Sequence, residues 1–526
     1  MKNIDIGLSR LFALGLLLLP LCGLFLLRSL EPALMESPPS REPELSVHQG
    51  FVTSADGPLA GARVRLQATA AFTRTDVRGR FRLHTNPRAG RVTAGKEGYF
   101  IGGVRLGDQP LRLDLRPLPE QDARNYSWVD PSPSGEKAQN CANCHAEIYR
   151  EWSLSGHARA ASGRRFRNLY EGTNWDGEVG VGWGLVNEHP NGISICASCH
   201  APAIAEDDEA RFDLRQLSGV AAKGVHCDYC HKIATVDSEA IGLAHGRFAL
   251  RLLRPKEGQL FFGPLDDVDR GEDAYTPLYH QSRYCASCHE GIVFGVPVYT
   301  TYSEWLESPA RQQGKQCQDC HMVPTGRMGN LAPGHGGRPR DPLTLANHRF
   351  FDGSKAEMLR RCLKVDVSCR RQGLETRVVV RVWAEDVGHR IPTGFLDRHL
   401  ILSVDGRRQE GESVAPLSGP ALSAEAGREL NGWPGRLYAK LYSDFDGTSP
   451  APFWRPGPDP RDNRLRPGQT DELVFVFPAA MSSLRVRLVY RRFWQEVARE
   501  KGWPDRDVIV SDQSYESFGA RTVEKQ

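Results

Sequence analysis

Between Cys141 and His321 the pentapeptide Cys-x-x-Cys-His occurs five times: Cys141/Cys144/His145, Cys196/Cys199/His200, Cys227/Cys230/His231, Cys285/Cys288/His289 and Cys317/Cys320/His321. Two thiols three residues apart can form thioethers with the two vinyl groups of a haem, while the adjoining imidazole turns onto the iron as proximal ligand. A lone Cys-x-x-Cys could equally be a zinc knuckle or a redox dithiol. Five copies within 181 residues, each with histidine at the same offset, exclude both, since neither chemistry requires that histidine. The expected cofactor is therefore haem c, five copies, covalently attached.

Five irons also need distal ligands. Beyond the motifs, and past the first β-rich stretch, the chain holds His157, His189, His226, His245, His280, His335, His348, His389 and His399. The expected ligands are His157, which follows a Trp/Ser helix; His348, in Asn-His-Arg-Phe-Phe; His280, in Leu-Tyr-His-Gln-Ser; His389, presented by flanking glycine; and His226, directly before Cys227. His245 and His189 stay open as alternatives. His335, between glycines, reads as loop, and His399 as a structural strand residue. With only six methionines, bis-histidine ligation is the expected norm.

Successive first cysteines are 55, 31, 58 and 32 residues apart, too little chain to wrap each haem in its own apolar domain. The region 135–355 should thus be short helices and loops laid around haems that pack against one another. Tyr149-x-x-Trp152-x-x-Ser155-x-His157 after the first motif is echoed after the fourth by Tyr302-x-x-Trp305-x-x-Ser308-x-Ala310. Steps of three place Tyr, Trp and Ser close together on a helix, so the echo reads as a repeated haem-plus-helix unit whose second copy lost its histidine.

On either side of this core the period changes to two. Alternation with glycine turns over 46–118 predicts strands at Ala62–Ala68, Gly79–His84, Gly90–Ala94 and Leu111–Leu115, with a hairpin turn at Asp76–Gly79. Over 370–515 it predicts strands at Thr376–Trp383, His399–Ser403, Glu472–Phe477 and Leu484–Tyr490. The expected fold is multidomain: a mostly α/irregular pentahaem core flanked by N-terminal and C-terminal β-sandwiches. Cys362 and Cys369 are left over by haem chemistry and could form a local disulfide.

Ahead of these, Lys2 and Arg10 precede an apolar run from Leu11 to Leu27 closed by Arg28, a signal anchor or signal peptide over 1–30, followed by a linker over 31–45. Either outcome puts the body outside the cytoplasm, at a bacterial inner membrane facing the periplasm or exported beyond it. A net charge of +3 without a basic stripe argues against nucleic-acid binding.

The stretch Gly57-Pro-Leu-Ala-Gly-Ala-Arg-Val64 with Thr75-Asp-Val-Arg-Gly-Arg-Phe81 resembles the carboxypeptidase regulatory-like β-sandwich domain, which implies a non-catalytic spacer or adhesion module. Residues 138–351 resemble the cytochrome c554-type multihaem family. The likeness is carried by Cys141-Ala-Asn-Cys-His-Ala-Glu-Ile-Tyr-Arg-Glu-Trp-Ser-Leu-Ser-Gly-His157, by Gly224-Val-His-Cys-Asp-Tyr-Cys-His-Lys232, and by Cys317-Gln-Asp-Cys-His-Met322 with His348-Arg-Phe. The resemblance implies an electron carrier working with redox partner proteins, and the N-terminal apolar segment would attach it to the membrane. A homo-oligomer or larger cytochrome complex is compatible with it. The alternative it leaves open is an oxidoreductase acting on a small nitrogen or sulfur compound at one open-site haem. The chain departs from the four-haem pattern by one extra motif, and it has no Cys-x-x-Cys-Lys.

Overall fold

Alternating apolar and charged residues form sheet where one face can be buried, and Arg80–Thr85 shows the rule, with Phe81, Leu83 and Thr85 inside and Arg80, Arg82 and His84 outside. In the computed structural model the first 70 described residues make two facing sheets. One joins Ser46–Ser54 antiparallel to Gly57–Pro58 and Arg80–Thr85 and parallel to Leu111–Asp114. The other runs Phe72–Arg74, Arg63–Leu66, Arg91–Gly95, Gly102–Arg105. Val52, Val64, Phe81, Leu83, Val92, Leu111 and Leu113 fill the space between. The Asp76–Gly79 turn forms, with the Gly79 N–H donating to the Asp76 carbonyl at 2.9 Å. Its flanking strands pair in opposite sheets, however, so the turn is a sheet-to-sheet crossing and not the expected hairpin. Gly79 sits at φ +71°, where a Cβ would meet the Val52 carbonyl oxygen at 2.4 Å.

The described residues are 46–516 apart from 86–89, 108–109, 136–138, 191–193, 205–212, 352–355, 459 and 505–506. The expected signal segment and linker over 1–45 lie outside them. Among the described residues no helix is long and apolar enough to cross a membrane.

The middle of the chain follows its irregular composition. Helices of four to eight residues, such as Ala146–Ser153 and Arg164–Glu171, alternate with two-stranded ribbons, such as Glu290–Val293 with Val296–Thr300. Beyond it a helix, Ala356–Cys362, leads into a second pair of sheets. The first is Leu363–Gln372, Glu375–Ala384 and Thr470–Pro478. In the second, His399–Arg407 lies between Gly435–Leu441 and Ser483–Arg491, with Val508–Glu516 beyond. Val378, Val380 and Val382 pack with Leu400, Leu402, Phe475, Val486 and Leu488.

Leu363–Gln372 is a strand ahead of the expected boundary at 370, and it excludes the Cys362–Cys369 disulfide. Seven extended residues span about 23 Å at about 3.3 Å each, whereas bridged cysteines need Cα atoms closer than about 7 Å. Both cysteines are free thiols.

The N-terminal sandwich is docked on the core through one acidic segment. Asp266 receives Arg63 and Arg65, the latter through Nε at 2.7 Å. Asp267 accepts the Ala68 N–H at 2.7 Å and two bonds from Arg340 at 2.8 and 2.9 Å. Asp269 pairs with Arg91, and the Ile101 N–H donates to the Asp273 carbonyl at 2.8 Å.

Candidate haem-binding site

Every Cys-x-x-Cys-His forms or closes a helical turn: Cys141–Cys144, Ser194–His200, Cys227–Cys230, Arg283–His289 and Cys317–His321. A turn of helix brings thiols at i and i+3 to one side. All five motifs line one connected cavity of about 1670 Å³, larger than the roughly 300–1,000 Å³ of a site for one small ligand. The motifs also meet one another. Thiols of Cys141 and Cys227, of Cys199 and Cys288, and of Cys285 and Cys317 lie within hydrogen-bonding reach.

The imidazoles are set up as ligands. The Nδ1 of His145 bonds the Leu331 carbonyl at 2.9 Å, that of His200 Ala160 at 2.8 Å, that of His231 Phe262 at 2.6 Å and that of His321 Phe351 at 2.5 Å. A proton donated from Nδ1 leaves the Nε2 lone pair for a metal. Burial pushes His145, His200 and His231 below the usual imidazole range, and His289 down to about 3, which keeps the neutral, ligating form.

Two of the expected distal histidines face motif histidines. The rings of His157 and His289 have centroids 6.1 Å apart, as do those of His389 and His321. Two imidazoles bound to opposite sides of one metal, at about 2.0–2.1 Å each, put their centroids about 6 Å apart. His348 lies in the electrostatic reach of His231; burial first, then that neighbour, lowers it to about 4. Its Nδ1 bonds the Ala346 carbonyl at 3.1 Å.

The other two are placed differently. His226 is fully buried, but its Nδ1 accepts the Tyr229 N–H at 3.3 Å as the N-cap of its own motif's helix. Its Nε2 is buried without a hydrogen-bond partner. His280 ends the turn Pro277–His280, exposed at the cavity lining. His335, read from sequence as loop, also lines the cavity, close enough to His145 to lower its pKa further once burial has done so. His399 is buried in the C-terminal sheet, stacked on Trp494 at 4.4 Å.

Among the described residues no group of three or more His, Cys, Asp or Glu is placed to hold a bare metal ion. Haem supplies its iron's equatorial nitrogens itself, so paired imidazoles beside paired thiols are the donor set it needs, and these residues fit it.

Residues 140–232, with three of the five motifs, match the family model of cytochrome c554 and c-prime. The crystal structure of a penta-heme cytochrome c552 from Thermochromatium tepidum shares the fold, with a TM-score of 0.52 over 72% of this chain and 97% of that one. The chain carries a multihaem c-type cytochrome domain. At 22% identity the c552 likeness speaks for the cytochrome's fold alone. The Fcho1 Mu homology domain (Danio rerio, with bound Eps15 peptide) is 13% identical over 26% of this chain and 40% of that one; its TM-score of 0.12 carries no argument. No curated protein matches the cytochrome.

Proposed function

We propose that this cytochrome binds five haems c and transfers electrons in a periplasmic or extracellular respiratory pathway, held to the membrane or exported through its N-terminal apolar segment. Haem supplies reversible one-electron chemistry when bound. The residues of the chain do the rest. The ten motif cysteines tether, and His145, His200, His231, His289 and His321 serve as proximal ligands. His157 with His289, His389 with His321, and His348 with His231 close three bis-histidine sites.

The observation that carries this reading is contact between the motifs. Thiols from different motifs come within hydrogen-bonding reach across one shared cavity, an arrangement that would bring haems held there close enough to exchange electrons. A carrier requires that contiguity, whereas five isolated pockets would not provide it. Redox partner proteins are the implied partners, meeting haem edges where the cavity opens.

Electron paramagnetic resonance of the oxidised holoprotein tests it. Low-spin signals that ignore added nitrite, hydroxylamine or cyanide are expected of the carrier. A stoichiometric high-spin iron whose signal shifts with one of them would mark an oxidoreductase of small nitrogen or sulfur compounds.

A further inference from the structure

The echoed helices share more than Tyr, Trp and Ser. Each also has glutamate directly before its tryptophan, Glu151 in Ala146–Ser153 and Glu304 in Thr301–Leu306, and each is buried. A buried carboxylate must be fully hydrogen-bonded to be tolerated, so its partners show what it is for.

In the first copy, Glu151 accepts the His348 N–H at 2.9 Å and the Asn347 side-chain amide at 2.5 Å. In the second, Glu304 accepts the Arg390 N–H at 3.1 Å, one residue past His389, and the Thr393 hydroxyl at 3.0 Å. Arg464, itself buried, neutralises it from the other side at 2.6 Å.

The tryptophans repeat the correspondence. The Trp152 indole donates to the Val225 carbonyl at 2.9 Å, and the Trp305 indole to the Lys315 carbonyl at 3.0 Å. Val225 lies two residues before Cys227, and Lys315 two before Cys317. Ser155 and Ser308 close each copy alike, their hydroxyls accepting the N–H three residues on.

We propose that the Tyr-x-Glu-Trp helix is a duplicated clamp in which Glu151 and Glu304 position the distal histidines His348 and His389, while Trp152 and Trp305 pin the peptide entering the attachment motif of the same haem. The assignment rests on the five-haem reading above. The first clamp joins the two sides of the site at Cys227–His231, and the second the two sides of the site at Cys317–His321. The glutamates bond the loops that carry the histidines and not their imidazoles, so they act through the segment that presents the ligand. A ligand loop without such an anchor is free to swing away from the metal, and outer partners of this kind set ligand orientation.

The test uses the full-length holoprotein and reads spin state. In Glu304→Ala one of the five irons is expected to turn from low-spin to high-spin and to acquire cyanide binding. Glu151→Ala is expected to do the same at a different haem. Glu304→Gln keeps one acceptor oxygen, so it should restore the low-spin signal while shifting the midpoint potential of a single haem. Exposed Glu307→Ala is expected to change nothing. The clamp is overturned if both alanine variants keep every iron low-spin with unchanged g-values, or if Glu307→Ala produces the same conversion. If the alanine variants do not accumulate, unmoved potentials in Glu304→Gln and Glu151→Gln overturn it equally. Failure of the underlying reading is distinct: the unsubstituted protein would then carry no covalent haem absorbance at all.

Discussion

Burial away from water favours the neutral form of an imidazole. His226 is held down to about 4 and His399 to about 3, against about 6.5 in an unfolded chain. The unfolded state therefore takes up protons first. Stability from these groups is complete above about pH 6.5, is lost as pH falls through the window down to the folded values, and levels off below them. Denaturant unfolding of the holoprotein between pH 7.5 and 4.5 is expected to show a steady loss; a flat profile would contradict it. His399→Phe, which keeps the stack on Trp494, should reduce the slope. The motif residues were legible because thioether chemistry fixes their spacing within one pentapeptide. Distal ligands obey no such local rule. His157 meets His289 and His389 meets His321 only through the fold, and the position of His226 directly before Cys227 also makes it an N-cap of that helix.

Elements are held by buried polar pairs that periodicity does not announce. Asp228 and Lys232 lie four apart, wholly buried, at the third motif, and Asp228 also accepts the Tyr126 hydroxyl and the Val129 N–H at 2.9 Å each. Asp228→Ala would leave a buried ammonium unpaired, and a loss of about 3–5 kcal/mol is expected in chemical denaturation; a loss below about 1 kcal/mol would show that the pair is hydrated or dispensable. The helix echo was readable as Tyr, Trp and Ser at three-residue steps. Its glutamates were not, because an acidic residue on a short helix ordinarily reads as a solvated face, and only packing shows Glu151 and Glu304 turned inward. The strand Leu363–Gln372 lies ahead of the expected boundary although Leu363, Val365, Val367 and Cys369 alternate with Lys364, Asp366, Ser368 and Arg370; it directly follows a helix that ends at Cys362, and with it goes the geometry that separates Cys362 from Cys369.

Across the whole molecule, alternation correctly marked sheet on both sides of the core, but it could not say that the N-terminal sandwich would be fastened to that core. Three arginines on one of its sheets converge on Asp266 and Asp269. Burial alone would raise the Asp266 carboxyl; Arg65 and Arg63 overcome it and hold the group below the usual carboxylate value. With its folded value depressed, Asp266 contributes fully above about pH 3.9 and loses that contribution as pH falls through the folded value. Asp266→Ala is expected to loosen the sandwich at neutral pH by about 1.5–3 kcal/mol, the size of hydrogen bonds to charged groups. Hydrogen exchange should show it as faster exchange in Arg63–Leu66 and Arg91–Gly95, and unchanged protection there would contradict the docking role. One continuous core is proposed to carry five covalently held haems. The intact mass of the denatured holoprotein, compared with the processed polypeptide, tests this most directly. An excess equal to five haems is the expected result. A species with fewer haems and unmodified motif thiols would contradict the account, and the identity of the unmodified motif would show where it fails.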